Sequence, residues 1–590
     1  MTGEAGGGRA YLEIPPQLNL GEWVVDRHVR EGRGGQPAVH AGDRIYSYAD
    51  LRRLSNRAAN ALGGLGIGRG DRVLLRLGTN LDCMLAFLGA LKLGAVPIPT
   101  SLMLRAHEIG AILRNSEAVA AIVMPDAVDA VEAVRGDAGH LRHLLLGGEG
   151  GDQARSLRAL MARASEEATP ATTGSNDPAF MVYTSGTTGE PKGVEHGHRW
   201  IIGTGDPITG AVMRLGPGDI CFQPQDWSFI YALGCNFLYP FHVGAAVVLP
   251  APRFDPADAV ATIERHGVTV FCAVPTIYRM MLNAPEVVRH RLTSLRMGVS
   301  AGEPLPADTF NEWRGRLGVT VYDGIGQSEN HMFLANQIGM PIKPGSLGTP
   351  LPGYRVAVVD DEGSPRPPGE PGHLVIGNDH PGLALGYYRD PERWAGVNRG
   401  GWYYTMDFAS VDEDGYYWYV SRSDDLIKSR GYMISPREVE SALMEHAAVL
   451  EAGVVGVSDP VIGQKVRAYV TLKPGVAASP DLAENLKAHK LRSSLTLLGI
   501  VVAMTLAGSV AFTAPSSTNT ITFVVATGIL LLGRHLNKVA LRMDEPMQSV
   551  VFAIYYAMPH LELFDVRDLI IHNWPPVPWL IWCGALGYAL

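Results

Sequence analysis

Residues 183–194 read Tyr-Thr-Ser-Gly-Thr-Thr-Gly-Glu-Pro-Lys-Gly-Val. Five hydroxyl side chains, three glycines and one lysine fall in this stretch, directly after the apolar run Ala179-Phe180-Met181-Val182. Glycine lets the backbone approach a ligand closely and turn its N–H groups toward it. Serine and threonine add short donors, and a lysine adds a mobile point charge. Together they suit a polyphosphate. The stretch is not a Walker loop, because Lys192 lies between Pro191 and Gly193 with no Ser or Thr after it.

Outward from this stretch, the chain alternates strand-like and helix-like runs. Residues 73–77 (Val-Leu-Leu-Arg-Leu) read as a buried strand, and residues 82–93 as a helix. Ser47 and Asp50, placed before Leu51, Leu54, Ala58 and Leu62, predict a capped amphipathic helix. Residues 268–274 and 319–322 are further buried-strand candidates beside helical patterns. Such alternation predicts an α/β protein with layered parallel sheets and helices. After Pro341 the texture shifts to short strands with Gly/Pro turns, which predicts a β-rich subdomain over about 341–420. No repeat of fixed period is evident.

At 590 residues the chain has room for several domains. The net charge of -9 gives nucleic acid no electrostatic foothold. Cys83, Cys221, Cys235, Cys272 and Cys583 form no CxxC pair and no metal-like spacing, which fits reduced thiols in a cytoplasmic setting. The glycine-rich start, residues 1–9, lacks the apolar core of a signal peptide.

Five motifs in order resemble those of the adenylate-forming superfamily of acyl- and aryl-CoA synthetases, luciferases and peptide-synthetase adenylation domains. The first is the stretch at 183–194. Ser300-Ala301-Gly302-Glu303-Pro304-Leu305 resembles the family's adenine-side segment, and Tyr322-Asp323-Gly324-Ile325-Gly326-Gln327-Ser328-Glu329 its acidic motif. Gly401-Trp402-Tyr403-Tyr404-Thr405-Met406-Asp407 is similar to the ribose motif, and Ser421-Arg422-Ser423-Asp424-Asp425-Leu426-Ile427-Lys428 to the interdomain hinge. Order and spacing hold from about residue 20 to about 489.

This resemblance implies a large N-terminal domain over 1–420 and a small α+β lid domain, truncated, over 421–489. It also implies a two-step reaction using ATP, Mg2+ and coenzyme A. A carboxylate attacks the α-phosphate to give an acyl-adenylate and pyrophosphate, and a thiol then displaces AMP. Thr184, Ser185, Gly186, Thr187, Thr188, Gly189 and Lys192 would hold the β- and γ-phosphates, with Ser328 adding a hydroxyl. Glu329 would ligate Mg2+. Asp323 would accept from the adenine amino group, with Gly302, Glu303 and Pro304 along the purine. Asp407 and Arg422 would hold the ribose. Asp424 would be the hinge, and Gly431 would border the pantetheine tunnel.

Trp227-Ser228-Phe229-Ile230-Tyr231 resembles the acyl-pocket segment of benzoate-type CoA ligases, so Tyr231 and His331 are pocket candidates for a small aromatic acid. Two other readings stay open: an adenylating enzyme that loads a carrier protein, and a membrane transport component with an inactive nucleotide-binding head. His196 and His198 form an HxH pair that, with no third ligand nearby in sequence, reads as structural.

Past His489 the composition changes. Residues 494–533 contain no Asp, Glu, Lys, Arg or His, and 495–514 are long enough to span a hydrocarbon core of ~30 Å. Basic residues flank this stretch on both sides, Lys487, Lys490 and Arg492 before it and Arg534, Lys538 and Arg542 after it. The tail 490–590 therefore reads as a helical, membrane-like segment. It resembles a transporter permease fragment, and both of its ends would face the cytoplasm. A junction near residue 489, from gene fusion or from faulty assembly of the sequence, accounts for the change. The family's second lysine, in a Gly-Lys loop of the small domain, has no counterpart. Only Lys490 and Lys538 follow residue 489, and Asn537 stands where that loop's glycine would precede Lys538.

Overall fold

The computed structural model of the chain describes residues 13–149, 152–184, 191–284, 287, 292–422, 425–429, 432–444, 446–459, 463–473 and parts of 475–486. The predicted loop residues Ser185, Gly186, Thr187, Thr188 and Gly189 lie outside the described residues, as do Asp424, Gly431 and the whole tail 490–590. Among the described residues no helix is long and apolar enough to cross a membrane. The chain divides into two compact units, one ending at Asp424 and the other beginning at Asp425.

Capping and patterning set the helices of the first unit. Ser47 accepts from the Asp50 N–H while Asp50 accepts from the Ser47 N–H, a reciprocal cap that starts the helix Tyr48–Gly63. Asn80 caps the helix Leu81–Lys92 through the Cys83 N–H. That second helix is buried almost all round, as its near-continuous apolar sequence requires. Its one cation, Lys92, is neutralised by Asp26 at 2.7 Å and also donates to the Asn56 amide oxygen at 2.7 Å.

The largest sheet of this unit runs Thr349–Pro350, His331–Ala335, Val321–Gln327, Met297–Ser300, Val270–Ala273, Ile220–Phe222, Ala246–Val248, Pro37–Ala41, Arg44–Ser47. Its pairings are parallel from Val321–Gln327 through to Pro37–Ala41 and antiparallel at both ends. A second, parallel sheet is ordered Val96–Pro99, Arg72–Arg76, Ala120–Val123, His143–Leu146. Their central strands are apolar on both faces because both faces are covered. The predicted strand at 268–274 is shorter, Val270–Ala273, and the one at 319–322 runs on to Gln327.

After Pro341 the pairing becomes antiparallel. Trp402–Val411 is flanked by Gly372–Gly377 on one side, and by Asn398–Arg399 and Tyr417–Arg422 along its other edge. A separate three-stranded antiparallel sheet joins Gly386–Tyr387, Lys192–Gly197 and Pro178–Thr184.

The second unit is a small α+β layer. Its sheet runs Tyr432–Ile434, Ile427–Ser429, Gly463–Leu472, Val449–Asp459, and the helix Pro436–Met444 buries Val439 and Leu443 against Ile427, Val449 and Val454.

Candidate active site

Thr184 ends one strand of the three-stranded sheet and Lys192 begins the next, and the two are direct partners across it. The described ends of the quoted stretch thus set a hydroxyl and an ammonium at directly paired positions. Thr184 Oγ1 is buried and has no hydrogen-bond partner among the described residues. Both residues line a cavity of about 560 Å³.

Opposite them stands Glu329, on the turn 328–330 between the strands Val321–Gln327 and His331–Ala335. Two glycines permit that hairpin's close approach. A Cβ at Gly326 would lie 2.3 Å from the His331 carbonyl oxygen, and one at Gly324 would lie 2.5 Å from that of Leu334. His331 takes a left-handed backbone, φ +45°, to turn the chain back.

Lys192 Nζ lies 2.8 Å from Glu329 Oε1 and donates to the Tyr387 hydroxyl at 2.9 Å, while that hydroxyl donates to Glu329 Oε1 at 2.8 Å. Burial raises the Glu329 carboxyl, but the facing Lys192 ammonium and the two hydrogen bonds outweigh it and hold it below the usual carboxylate range. Burial, then the Glu329 charge, push the Tyr387 phenol upward, so it stays protonated.

Gln327, also on the cavity lining, donates to Asp407 Oδ2 at 2.6 Å and to the Thr405 carbonyl at 2.5 Å. Asp407 is buried and is the cross-strand partner of Arg422. Met406, just before it, is left-handed at φ +63° and lines the cavity. Asp323 is buried and accepts from the Leu305 N–H at 3.2 Å, which ties it to the 302–305 segment. Gly302, φ +90°, lines the cavity, whereas Glu303 is turned outward to accept from Thr276 at 2.9 Å.

Phe229, Tyr231 and His331 give the cavity uncharged aromatic lining. Tyr231 donates to the Val299 carbonyl at 2.9 Å. Burial lowers the His331 imidazole to about 3, so it is neutral at ordinary pH, and its Nδ1 accepts from the Met332 N–H at 2.7 Å. Burial likewise lowers His196 to about 4; it stacks on Phe180 and its Nε2 lies 2.8 Å from the Ser328 carbonyl. His198 Nδ1 accepts from the Leu20 N–H at 3.0 Å. The HxH pair is therefore occupied in the core, as its structural reading expects.

Of the predicted site residues, Thr184, Lys192, Tyr231, Gly302, Ser328, Glu329, His331 and Arg422 share this cavity. Glu303, Pro304, Asp323 and Asp407 are not among its lining residues. Tyr387, Gln327, Thr405 and Arg393 line it as well, and no motif had singled them out as site residues. One signal for Tyr387 was available: a tyrosine closing the uncharged run 381–386 would be buried, and a buried phenol needs a partner.

With this geometry in place, comparison with known proteins decides the family. The pattern of AMP-binding enzymes matches residues 25–388, and that of the AMP-binding enzyme C-terminal domain matches residues 438–496. The chain belongs to the AMP-binding enzyme family. It is 37% identical to the benzoate–CoA ligase of Thauera aromatica, over 81% of this chain and 90% of that protein. It superposes on an anthranilate CoA ligase, AuaEII, in complex with anthranoyl-AMP, with a TM-score of 0.75 and 33% identity, covering 81% of this chain and 91% of the other. A benzoate CoA ligase from Burkholderia xenovorans LB400 gives a TM-score of 0.73 and 33% identity, covering 80% and 93%.

ATP, Mg2+ and coenzyme A are the family's reactants and metal. Among the described residues no group of three or more His, Cys, Asp and Glu could hold a metal ion. The single ionised carboxylate of Glu329 nonetheless fits Mg2+, which keeps few protein ligands and takes the rest of its oxygens from phosphates and water.

Proposed function

We propose that the protein is an ATP-dependent ligase that activates a small aromatic carboxylic acid and transfers it to coenzyme A. One observation carries this reading: a single cavity is lined both by uncharged aromatic side chains, Phe229, Tyr231 and neutral His331, and by the ion pair of Lys192 and Glu329. An aromatic ring suits the first set, and a polyphosphate with its metal suits the second.

In the first half-reaction a carboxylate oxygen bonds to the α-phosphorus and the bond to pyrophosphate breaks. Both partners are anions, so the chain's contribution is to place donors and positive charge ahead of the reaction. Thr184 and Lys192, with Ser185 to Gly189, hold the departing phosphates. Glu329 holds Mg2+, which neutralises phosphate charge when bound. Asp407 and Arg422 orient the ribose, and Asp323 with the 302–304 segment orients the purine. In the second half-reaction the coenzyme A sulfur bonds to the acyl carbon and AMP leaves. Asp424 serves as the hinge between the halves, and Gly431 borders the thiol's approach.

Thioester formation measured with benzoate, aminobenzoates and medium-chain acids tests this reading. The highest kcat/KM is expected among the benzoates, and a clear preference for a medium-chain acid sinks it.

The 590 residues carry no Gly-Lys loop lysine, and a lost charge-stabilising donor of this kind costs ~10²–10³ in rate. Acid-dependent pyrophosphate exchange is therefore expected to be slow while ATP binding persists. Exchange that rises on addition of a separate small domain bearing that lysine would locate the deficit there.

A further inference from the structure

Tyr387 lies 58 residues from Glu329 and 195 from Lys192 in the chain, yet its hydroxyl touches both. It accepts from the ammonium at 2.9 Å and donates to the carboxylate at 2.8 Å. The Lys192 ammonium also lies 4.3 Å from the centre of the Tyr387 ring, and the Arg393 guanidinium 5.9 Å from it. Trp394 packs edge-on against the ring at 5.2 Å. Tyr387 itself is fixed by backbone pairing with Val194, on the strand that begins with Lys192.

Lys192 and Glu329 neutralise each other in this arrangement. A polyphosphate with its metal asks them to part, the cation toward phosphate and the anion toward metal. A buried charge that loses its partner is costly unless another group stays bonded to it. The phenol supplies that group, since one hydroxyl accepts from the lysine and donates to the carboxylate.

We propose that Tyr387 is a positioning residue that keeps Lys192 and Glu329 hydrogen-bonded and correctly placed as they separate onto the phosphates and the metal. The inference rests on the functional reading above. It adds a residue whose effect on nucleotide affinity acts through the other two. The ring, with Lys192 and Arg393 beside it, is retained in Tyr387→Phe, so that variant isolates the hydroxyl.

The test is the affinity for ATP in the presence of MgCl2, measured by calorimetry on the full chain without a carboxylic acid, with the melting temperature read alongside. Tyr387→Phe is expected to weaken MgATP binding about tenfold, the scale of one hydrogen bond to a charged group. In a Lys192→Met background the same change is expected to cost under threefold, because part of its effect acts through the lysine. Equal losses in the two backgrounds, or no loss in either, overturn the inference; an early-melting Tyr387→Phe is judged by the same comparison, since general loosening acts in both. A wild-type chain that does not bind MgATP overturns the functional reading itself, a result distinct from unchanged affinity in the variant.

Discussion

Asp407 and Arg422 face each other across the strands Trp402–Val411 and Tyr417–Arg422, with Arg422 Nη1 3.6 Å from Asp407 Oδ1. The carboxylate is buried while the Arg422 side chain is 42% exposed, and Gln327 holds the second carboxylate oxygen. The pair is asymmetric: the acid is buried and the base is partly exposed. Asp407→Asn is expected to weaken ATP binding by about 10–100-fold, since it removes one charged acceptor from a buried site. Arg422→Ala is expected to cost several-fold less because an exposed ion contributes little. Calorimetric titration with ATP checks the ranking, and a larger loss from Arg422→Ala would refute it.

Gly326→Ala is expected to lower both stability and nucleotide affinity. Its Cβ would lie 2.3 Å from the His331 carbonyl oxygen and 2.5 Å from its carbonyl carbon, both backbone atoms that no rotamer change can clear. The strand must shift, at about 1–3 kcal/mol, and the turn that carries Glu329 shifts with it. Gly210→Ala, whose added Cβ meets nothing within 4 Å, is the control. A chemical unfolding curve and an ATP titration on each variant check this. Normal affinity in Gly326→Ala would show that the turn does not depend on that close approach.

What was legible in the sequence was whatever lay close along the chain. Ser47 and Asp50 announced their helix because both halves of the cap fall within four residues. The pairing of Thr184 with Lys192 closes around the quoted stretch itself. The partners of Glu329 were not legible from spacing, because Lys192 is 137 residues away and Tyr387 comes from a third element. The contact of Gln327 with Asp407 spans 80 residues and was equally hidden. Family resemblance reached some of these residues one motif at a time, but which touches which is fixed by how the sheets pack. The membrane-like reading of 490–590 falls on residues outside those described.

Glu329→Gln is expected to destabilise the protein by about 1–3 kcal/mol at pH 7, since Lys192 then loses its buried counter-ion. The pH dependence identifies the cause. The folded-state carboxyl sits below its ordinary value of 4.5, so the unfolded chain binds its proton first as the pH falls. The contribution of the ion pair is present above 4.5 and fades as the pH drops through the lower folded-state value. Wild type and Glu329→Gln should therefore draw together in stability as the pH falls below 4.5, as read from denaturant midpoints. A gap that does not narrow below 4.5 would assign the loss to packing.

A separate acid sensitivity is expected at higher pH, from imidazoles buried in the neutral form. Burial lowers His28, His196, His198 and His380 to about 4, and His331 to about 3, from an ordinary 6.5. Each is neutral when folded and becomes protonated near 6.5 when unfolded, so in this interval the unfolded chain binds more protons. Their stabilising effect is complete above pH 6.5 and is lost progressively as the pH falls toward about 4. Denaturant midpoints should hold level from pH 8 to 7 and decline steadily below 6.5. In His196→Gln, where an amide can still reach the Ser328 carbonyl, that decline should lessen by up to one proton's worth. Midpoints that stay level down to pH 5 would mean that these imidazoles take up protons within the folded protein at no cost, against their burial.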